Sequence, residues 1–191
     1  LIIIASNRGL CGGFNSNVIK TATSLISGPY SEQNRKNNVN LICIGKKVSD
    51  YFKKRNYKVI EVRDDLYDNL AFPQVSLLAE KVMMAFSAKE YDRVFLIYNQ
   101  FKNAAVQYLQ VEQYLPIIPQ QTTQTSSQPA AIANYIFEPD KETIIRELIP
   151  KALRIQLFKA MLDSFASEQG ARMTAMQTAS DNAEDMIKAL Q

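Results

Sequence analysis

The chain has 191 residues, of which 47% are hydrophobic, 21% charged and 9% aromatic, and this composition is typical of a globular protein with one core of moderate size. It contains no histidine, which excludes Ser-His-Asp and Cys-His catalysis, histidine-ligated zinc and histidine proton shuttles. The net charge of +3 gives no polybasic pattern typical of nucleic-acid binding, and the two cysteines are too few for a Cys₄ metal site or a disulfide scaffold.

Apolar runs and helical periodicities alternate along the first hundred residues. Four short segments predict strands: residues 1–5 as a buried strand, residues 39–44, the alternating segment 57–62, and residues 94–98, which are apolar on both faces. Apolar residues three and four apart predict three helices between them, after the glycine-rich loop 7–15, after Gly45 and over 74–88. The polar and charged segments 30–38 and 63–72 predict loops. The resulting strand–helix alternation predicts a parallel sheet covered by helices on both faces.

The pattern changes after the fourth strand. Residues 104–115 alternate between apolar and polar with no helix before them, which predicts an antiparallel strand at the edge of the sheet. Residues 119–129 carry no charge and predict a flexible loop, and 135–137 predict a short extended piece. The fold class is therefore α/β, a Rossmann-like, mostly parallel sheet with an antiparallel edge strand. The apolar start at Leu1 also leads us to expect a fragment of a longer chain.

The last third of the sequence predicts a long helix. Residues 140–149 have an apolar helical face, and Pro150 predicts a break or kink because proline lacks an N–H group. The stretch 151–191 has no proline and would extend roughly 60 Å as a continuous helix. We therefore divide the chain into an α/β domain, residues 1–139, and a C-terminal helical segment, residues 140–191.

A heptad pattern in this segment predicts one half of a coiled coil. Steps of four and three select nine positions, two of which, Gln169 and Ser180, are polar and weaken the seam. The seven apolar seam positions are Leu162, Ala166, Met173, Met176, Ala183, Ile187 and Leu190. A helix longer than the domain beneath it needs a partner for this stripe.

No catalytic constellation assembles from the residues. The loop Gly9–Gly13 follows a strand and opens a helix, so a nucleotide- or phosphate-binding α/β enzyme is one hypothesis, but its spacing matches neither GxGxxG nor a P-loop. The basic cluster between Lys46 and Lys58 is a possible phosphate or acidic-partner surface, or simply a solvated helix face. The carboxylate pairs at 64–65 and 184–185 are not expected beside the glycine loop. A response-regulator-like domain is a weaker hypothesis, since Ser6-Asn7 stands where an acidic pocket is needed.

Several colinear segments resemble the gamma subunits of F-type ATP synthases, and together they cover essentially the whole chain. The resemblance rests on the glycine-rich stretch Ser6–Asn15 and on the helix stretch Ala166–Met176, which is the more specific of the two and continues through Asp181-Asn182-Ala183. Tyr98–Phe101 and Tyr135–Pro139 also fit. The departures are small: Asn7 stands where Asp is usual, and Gly170 where Ala is common.

The resemblance implies a mechanical role and no catalytic residues of its own. A gamma subunit is the rotor shaft between the membrane c-ring and the catalytic beta subunits, held among alpha and beta subunits and joined by epsilon. It implies a peripheral subunit on the cytoplasmic face of the bacterial inner membrane, in a proton-transporting complex. It implies no cofactor, no metal, no nucleic acid and no small-molecule substrate. It also implies that an N-terminal helix, the antiparallel partner of the C-terminal helix, and the extreme C-terminus are missing from this chain.

The resemblance also implies which residues of this chain contact other subunits. Glu168 and Arg172 resemble the shaft segment that faces an acidic loop of a beta subunit, although four-residue spacing equally fits an ordinary surface ion pair. Tyr135, Phe137 and Glu138 resemble the foot that meets the polar loops of the c-ring, although an edge segment covering the sheet would look the same.

Overall fold

The computed structural model describes residues 1–118 and 140–190. Within these ranges the chain forms five strands and six helices. In chain order they are β1 (Ile2–Ile4), α1 (Phe14–Ser27), α2 (Ser31–Arg35), β2 (Leu41–Ile44), α3 (Lys46–Lys54), β3 (Val59–Val62), α4 (Asp65–Asp68), α5 (Phe72–Ser87), β4 (Val94–Phe101), β5 (Gln107–Leu115) and α6 (Lys141–Leu190).

The strands form one sheet in the order β3-β2-β1-β4-β5. The first four strands are parallel, and β5 runs antiparallel to β4 at the edge. A short turn joins β4 to β5, which only an antiparallel pair permits, whereas each parallel pair is joined through helix-bearing crossovers. The predicted fold class is confirmed, including the antiparallel edge strand.

Two hydrophobic clusters cover the two faces of the sheet. In β1, Ile2 and Ile4 point to one cluster and Ile3 to the other, because successive strand residues face opposite sides. One cluster contains side chains of α1 and α3, and the other those of α4, α5 and the first half of α6. Both faces of β1 and β2 are therefore buried, as their apolar sequences predicted. Strand β3 lies at the edge of the sheet, contains Glu61 and is only partly buried.

Two segments predicted as loops contain short helices. The segment 30–38 includes α2, which buries no side chain and places Glu32 in its first turn and Arg35 in its last, as the helix dipole favours. The segment 63–72 includes α4, whose Leu66 and Tyr67 are buried in the core. Neither helix exceeds five residues, so neither is long enough to produce a 3.6-residue periodicity.

Helix α6 has 50 residues and passes through Pro150, so the predicted break at this proline is wrong. Proline removes the hydrogen bond to the carbonyl of Arg146, and the surrounding residues 145–149 are exposed, so water can solvate that carbonyl. The helix starts at a side-chain cap, where Asp140 accepts hydrogen bonds from the Thr143 backbone N–H at 2.9 Å and from its hydroxyl at 2.6 Å. None of the helices in the described ranges has a stretch long and apolar enough to cross a membrane.

Candidate functional site

The C-terminal part of α6 extends past the α/β domain. Leu153, Leu157, Ala160 and Met161 are buried in the core, but every described residue from 177 to 190 is exposed. Ideal geometry of 1.5 Å per residue makes the exposed end about 20 Å long. The helix is thus packed on the α/β domain along its middle part and exposed along its C-terminal end.

The predicted seam lies largely on the exposed surface of α6. Met173, Met176 and Ile187 are 60%, 51% and 58% exposed, and Leu190 is 88% exposed. Leu162 and Ala183 are exposed as well, and Ala166 is half-buried. Apolar side chains at regular heptad steps on one surface indicate an uncovered helix-packing stripe, and pairing of this seam stays a prediction.

Glu168 and Arg172 lie where α6 meets the glycine-rich loop, and both are more buried than a surface pair. Their side chains are 6% and 16% exposed, and the guanidinium lies 2.5 Å from Glu168 Oε1. Arg172 Nη2 also lies 3.5 Å from the carbonyl oxygen of Gly9. The other carboxylate oxygen of Glu168, Oε2, is buried with no hydrogen-bond partner among the described residues. The pair therefore links the helix to the loop.

Gly170 allows α6 to approach the turn between β4 and β5. A Cβ atom at this position would lie 3.0 Å from both Cα and O of Ala104, closer than packed side chains normally come. The neighbouring hydroxyl of Thr174 lies 3.3 Å from the same Ala104 oxygen. The resembling family commonly has alanine at this position. In this chain the close approach of Ala104 favours glycine, because glycine has no Cβ atom.

The glycine-rich loop is fixed by a network of polar side chains. Asn15 Oδ1 accepts hydrogen bonds from the Ser6 N–H at 3.0 Å and the Ser6 hydroxyl at 2.9 Å. Asn15 Nδ2 donates to the carbonyl of Arg8 at 3.3 Å and lies 3.1 Å from the sulfur of Cys11, which is buried. These contacts give Ser6, Asn15 and Cys11 a structural role in holding the loop, since each polar group of the network has a partner.

Asn7 joins three elements at the carboxyl edge of the sheet, a role that the sequence did not reveal. Its Oδ1 accepts a hydrogen bond from the backbone N–H of Lys46 at the start of α3, at 3.0 Å. Its Nδ2 donates to the carbonyl of Asp64 at 3.0 Å and approaches Asp68 Oδ1 at 3.4 Å. An amide can donate and accept at once, whereas the aspartate usual at this position in the resembling family only accepts when ionised.

The acidic residues after β3 lie beside the glycine loop, contrary to the expectation from sequence. The contact between Asn7 and Asp64 places them there because β1 and β3 end at the same edge of the parallel sheet. Asp65 is paired with Arg63 at 2.8 Å, and that hydrogen bond lowers the pKa of Asp65, whereas desolvation raises the pKa of Asp64. In the described ranges no three of the residues His, Cys, Asp and Glu are grouped to hold a metal ion.

The remaining sequence predictions fall on solvated or undescribed parts of the chain. Lys46, Lys47, Lys53 and Lys54 are exposed, and Arg55 stacks on Tyr51 with 3.8 Å from its guanidinium carbon to the ring centroid. Glu184 forms an exposed pair with Lys188 at 2.7 Å. The candidate foot residues Tyr135, Phe137 and Glu138, and the predicted loop 119–129, lie outside the described residues.

Comparison with known proteins decides the family. The profile of the family described as ATP synthase matches residues 1–191. The chain belongs to the ATP synthase family. The ATP synthase gamma chain of Cytophaga hutchinsonii is 45% identical over 190 residues, covering 100% of this chain. That of Flavobacterium johnsoniae is 47% identical over 186 residues and covers 97%. The chain spans 64% and 62% of the lengths of these two relatives.

Solved structures of ATP synthases share the fold of this family member. The central stalk and c-ring structure of the Tetrahymena thermophila mitochondrial ATP synthase matches with a TM-score of 0.68 and 25% identity, covering 94% of this chain and 75% of that one. The rotor of the Euglena gracilis mitochondrial ATP synthase matches with a TM-score of 0.66, covering 98% of this chain and 68% of that one. Its 20% identity shows the fold alone. The resemblance found in the sequence is thereby confirmed.

Proposed function

We propose that this chain is the greater part of a central-stalk rotor subunit, which transmits rotation between the c-ring and the catalytic beta subunits of a proton-transporting ATP synthase. One observation carries the proposal: a 50-residue helix is anchored in an α/β domain and extends beyond it with an apolar stripe exposed. The relatives named ATP synthase gamma chain support it. Residues 1–139 would form the foot domain and 140–191 half of the shaft.

The mechanism is the transfer of torque through a stiff rod. A single helix bends easily, and pairing the stripe with a second helix in a coiled coil would add torsional stiffness. The first half of α6 is locked in the core through Leu153, Leu157 and Met161, so rotation of the foot would turn the shaft without slippage. This role requires no acid, base or nucleophile, and we propose that the chain has no catalytic activity, cofactor or substrate of its own.

The proposed partners are the alpha, beta and epsilon subunits and the c-ring. The foot contact would involve Tyr135, Phe137 and Glu138, and the complex would place the chain on the cytoplasmic face of the bacterial inner membrane. Glu168 and Arg172 would meet the acidic loop of a beta subunit. Because the guanidinium of Arg172 is bonded to Glu168, an acidic loop would compete with Glu168 for it, and the contact would be made and broken as the shaft turns.

This contact is tested in the full-length subunit assembled with alpha, beta and the membrane sector. Replacing Arg172 alone would strand the buried Glu168 carboxylate and cost several kcal/mol, so the informative variant is the double change E168Q/R172Q. The matched control is R63Q/D65N, which neutralises an ion pair on the α/β domain. We expect E168Q/R172Q to lower proton pumping per ATP hydrolysed while the control leaves it unchanged. Equal ratios in both variants would contradict the proposal.

A further inference from the structure

Three exposed cations lie at the amino edge of the sheet, the end at which the parallel strands begin. Helix α3 ends at Lys54, Arg55 follows it, and Lys58 immediately precedes β3. The carbonyl of Lys58 accepts a hydrogen bond at 2.9 Å from the N–H of Leu41, the first residue of β2. This bond fixes the segment at the edge.

Four more exposed cations lie at the same edge. Arg35 and Lys36 end α2 just before β2, and Lys89 and Arg93 lie between α5 and β4. Parallel strands joined by crossovers all begin at one edge of a sheet, so the segments that precede β2, β3 and β4 meet there. Lys58 and Arg93, from two of these segments, line one cavity of about 770 Å³. We call these seven cations the basic face.

The positive charge of the basic face is not neutralised within the chain. The same three segments contain three exposed carboxylates, Glu32, Glu90 and Asp92, so seven cations against three anions leave a surplus of four, whereas the whole chain has a net charge of +3. Within the described ranges none of the seven cations forms an ion pair. Arg55 lies instead over the ring of Tyr51. A concentration of unpaired charge on one face attracts a surface of opposite charge.

The basic face and the exposed end of α6 lie at opposite edges of the sheet. Helix α6 leaves the domain at the carboxyl edge, where Arg172 lies 3.5 Å from the carbonyl oxygen of Gly9 in the loop after β1. Its earlier part passes the amino edge, where the Tyr114 hydroxyl donates to the carbonyl of Leu153 at 2.9 Å, since the end of β5 pairs with the start of β4. In the proposed function, on which this step rests, the exposed end of α6 points to the catalytic subunits, so the basic face points to the membrane.

The composition of the basic face favours lipid headgroups as its partner. Clusters of about four to eight Lys and Arg beside a membrane are typical of segments that bind anionic headgroups. Half-buried Tyr30, Tyr57 and Tyr91 belong to the same edge of the domain, and tyrosine is enriched at the depth of the headgroups because its ring is apolar and its hydroxyl polar.

Rotation also favours a fluid partner over a fixed one. A turning foot would lose any single carboxylate on a stationary subunit with each turn, whereas mobile headgroups present the same average charge at every angle. Flexible lysine side chains, which act as point charges without a fixed geometry, suit such a partner. We propose that the basic face binds the surface of a bilayer that contains anionic phospholipid, and so holds the foot domain close to the membrane around the c-ring.

Vesicle binding is measured on the full-length subunit alone, so that the result does not depend on assembly with other subunits. The subunit is sedimented with phosphatidylcholine vesicles that contain either no anionic lipid or about 30 mol% phosphatidylglycerol, at about 0.1 M and about 0.5 M salt. We expect roughly tenfold or greater partitioning onto the anionic vesicles at the lower salt concentration, and its loss at the higher one because salt screens the charges. Equal partitioning onto both kinds of vesicle, or none onto either, would overturn the proposal.

A triple variant tests the assignment to this face. Lys36→Gln/Lys54→Gln/Lys58→Gln removes three exposed charges from the basic face, and its unfolding followed by circular dichroism should match that of the parent. We expect its partitioning onto anionic vesicles to fall roughly tenfold or more.

The matched control removes the same number of exposed charges from the carboxyl edge. Lys46 and Lys47 follow β2, and Lys102 follows β4, so Lys46→Gln/Lys47→Gln/Lys102→Gln has the same net charge as the test variant. We expect it to lower the partitioning by less than about twofold, since these positions face away from the bilayer. Equal losses in the two variants would overturn the proposal.

An acidic protein partner predicts a different result. Binding of the parent to soluble poly-L-glutamate, with no binding to anionic vesicles, would overturn the proposal in favour of such a partner. Failure of vesicle binding would leave the rotor function standing, because rotation is measured separately in the assembled complex. Vesicle binding by a subunit that does not rotate would leave the lipid surface standing and contradict the rotor function.

Discussion

The hydroxyl oxygens of Tyr67 and Ser164 lie 3.1 Å apart in the interior, and this hydrogen bond joins α4 to α6 across 97 positions of sequence. Burial raises the pKa of the Tyr67 phenol, so the group stays neutral and donates or accepts over the physiological range. The contact lies at the level where α6 leaves the core, just before Ser167, whose hydroxyl donates to the carbonyl of Asn99 at 3.1 Å. Two hydroxyls thus fasten the base of the proposed shaft.

The substitution Tyr67→Phe tests how much the hydrogen bond between Tyr67 and Ser164 stabilises the fold. The substitution keeps the ring and leaves Ser164 Oγ without that partner, so we expect the free energy of unfolding to fall by about 1 kcal/mol, measured by urea denaturation. Tyr108→Phe is the matched control, because its hydroxyl is bonded to Lys102 at 3.0 Å on an exposed surface, and it should change stability little. Equal effects of the two substitutions would show that the buried bond contributes nothing beyond a surface contact.

The N-terminal cap of α6 should depend on pH through Asp140. Hydrogen bonds from Thr143 lower the pKa of Asp140 below its ordinary value of 3.8. A carboxyl whose pKa is lower in the folded state stabilises that state above the unfolded pKa, and the contribution is lost as the pH falls through the folded pKa. The Thr143 amide proton should therefore titrate in NMR spectra with a midpoint below 3.8. Asp140→Asn should remove this titration; a midpoint above 3.8 would contradict the cap.

The exposed stripe of α6 should make this chain associate in the absence of a partner helix. Regular apolar side chains on an uncovered helix are a typical association surface, so sedimentation velocity should show dimers or larger species that dissociate on dilution. The double variant Met176→Gln/Ile187→Gln should be monomeric. The control Leu77→Gln/Met84→Gln changes two exposed apolar residues on α5 and should associate like the parent. If the parent chain were monomeric at all concentrations, the prediction that the exposed stripe of α6 is an association surface would be wrong.

The sequence predicted the elements whose signal is periodic and missed those that depend on tertiary contact. Strand β1 and helix α5 were predicted because apolar runs and three- and four-residue steps are local properties. The continuity of α6 through Pro150 depends on solvation of a carbonyl, and the burial of Leu66 in α4 depends on its neighbours in space. Neither is encoded in a local pattern.

The candidate site shows the same division. The positions of Glu168 and Arg172 were identified, but their burial against Gly9 was not, because it requires knowing that the loop after β1 reaches α6. Asn7 was noted only as a departure from the usual aspartate, although it bonds to Lys46 and Asp64, and Asn99 was not singled out as a site residue, although its side chain is buried. The buried amides acquire meaning only from the partners that the fold gives or denies them.

Rotation of the subunit itself tests the central claim most directly. The full-length subunit carrying Asn34→Cys, an exposed position on α2, is labelled with a fluorescent probe; Cys11 and Cys43 are buried, and any cysteine outside residues 1–191 is replaced by serine. It is assembled with alpha and beta subunits fixed to a surface, and probe orientation is followed during ATP hydrolysis. We predict stepwise rotation in one direction at a rate that follows hydrolysis. Sustained hydrolysis with a stationary probe would contradict the assignment of this chain to the rotor.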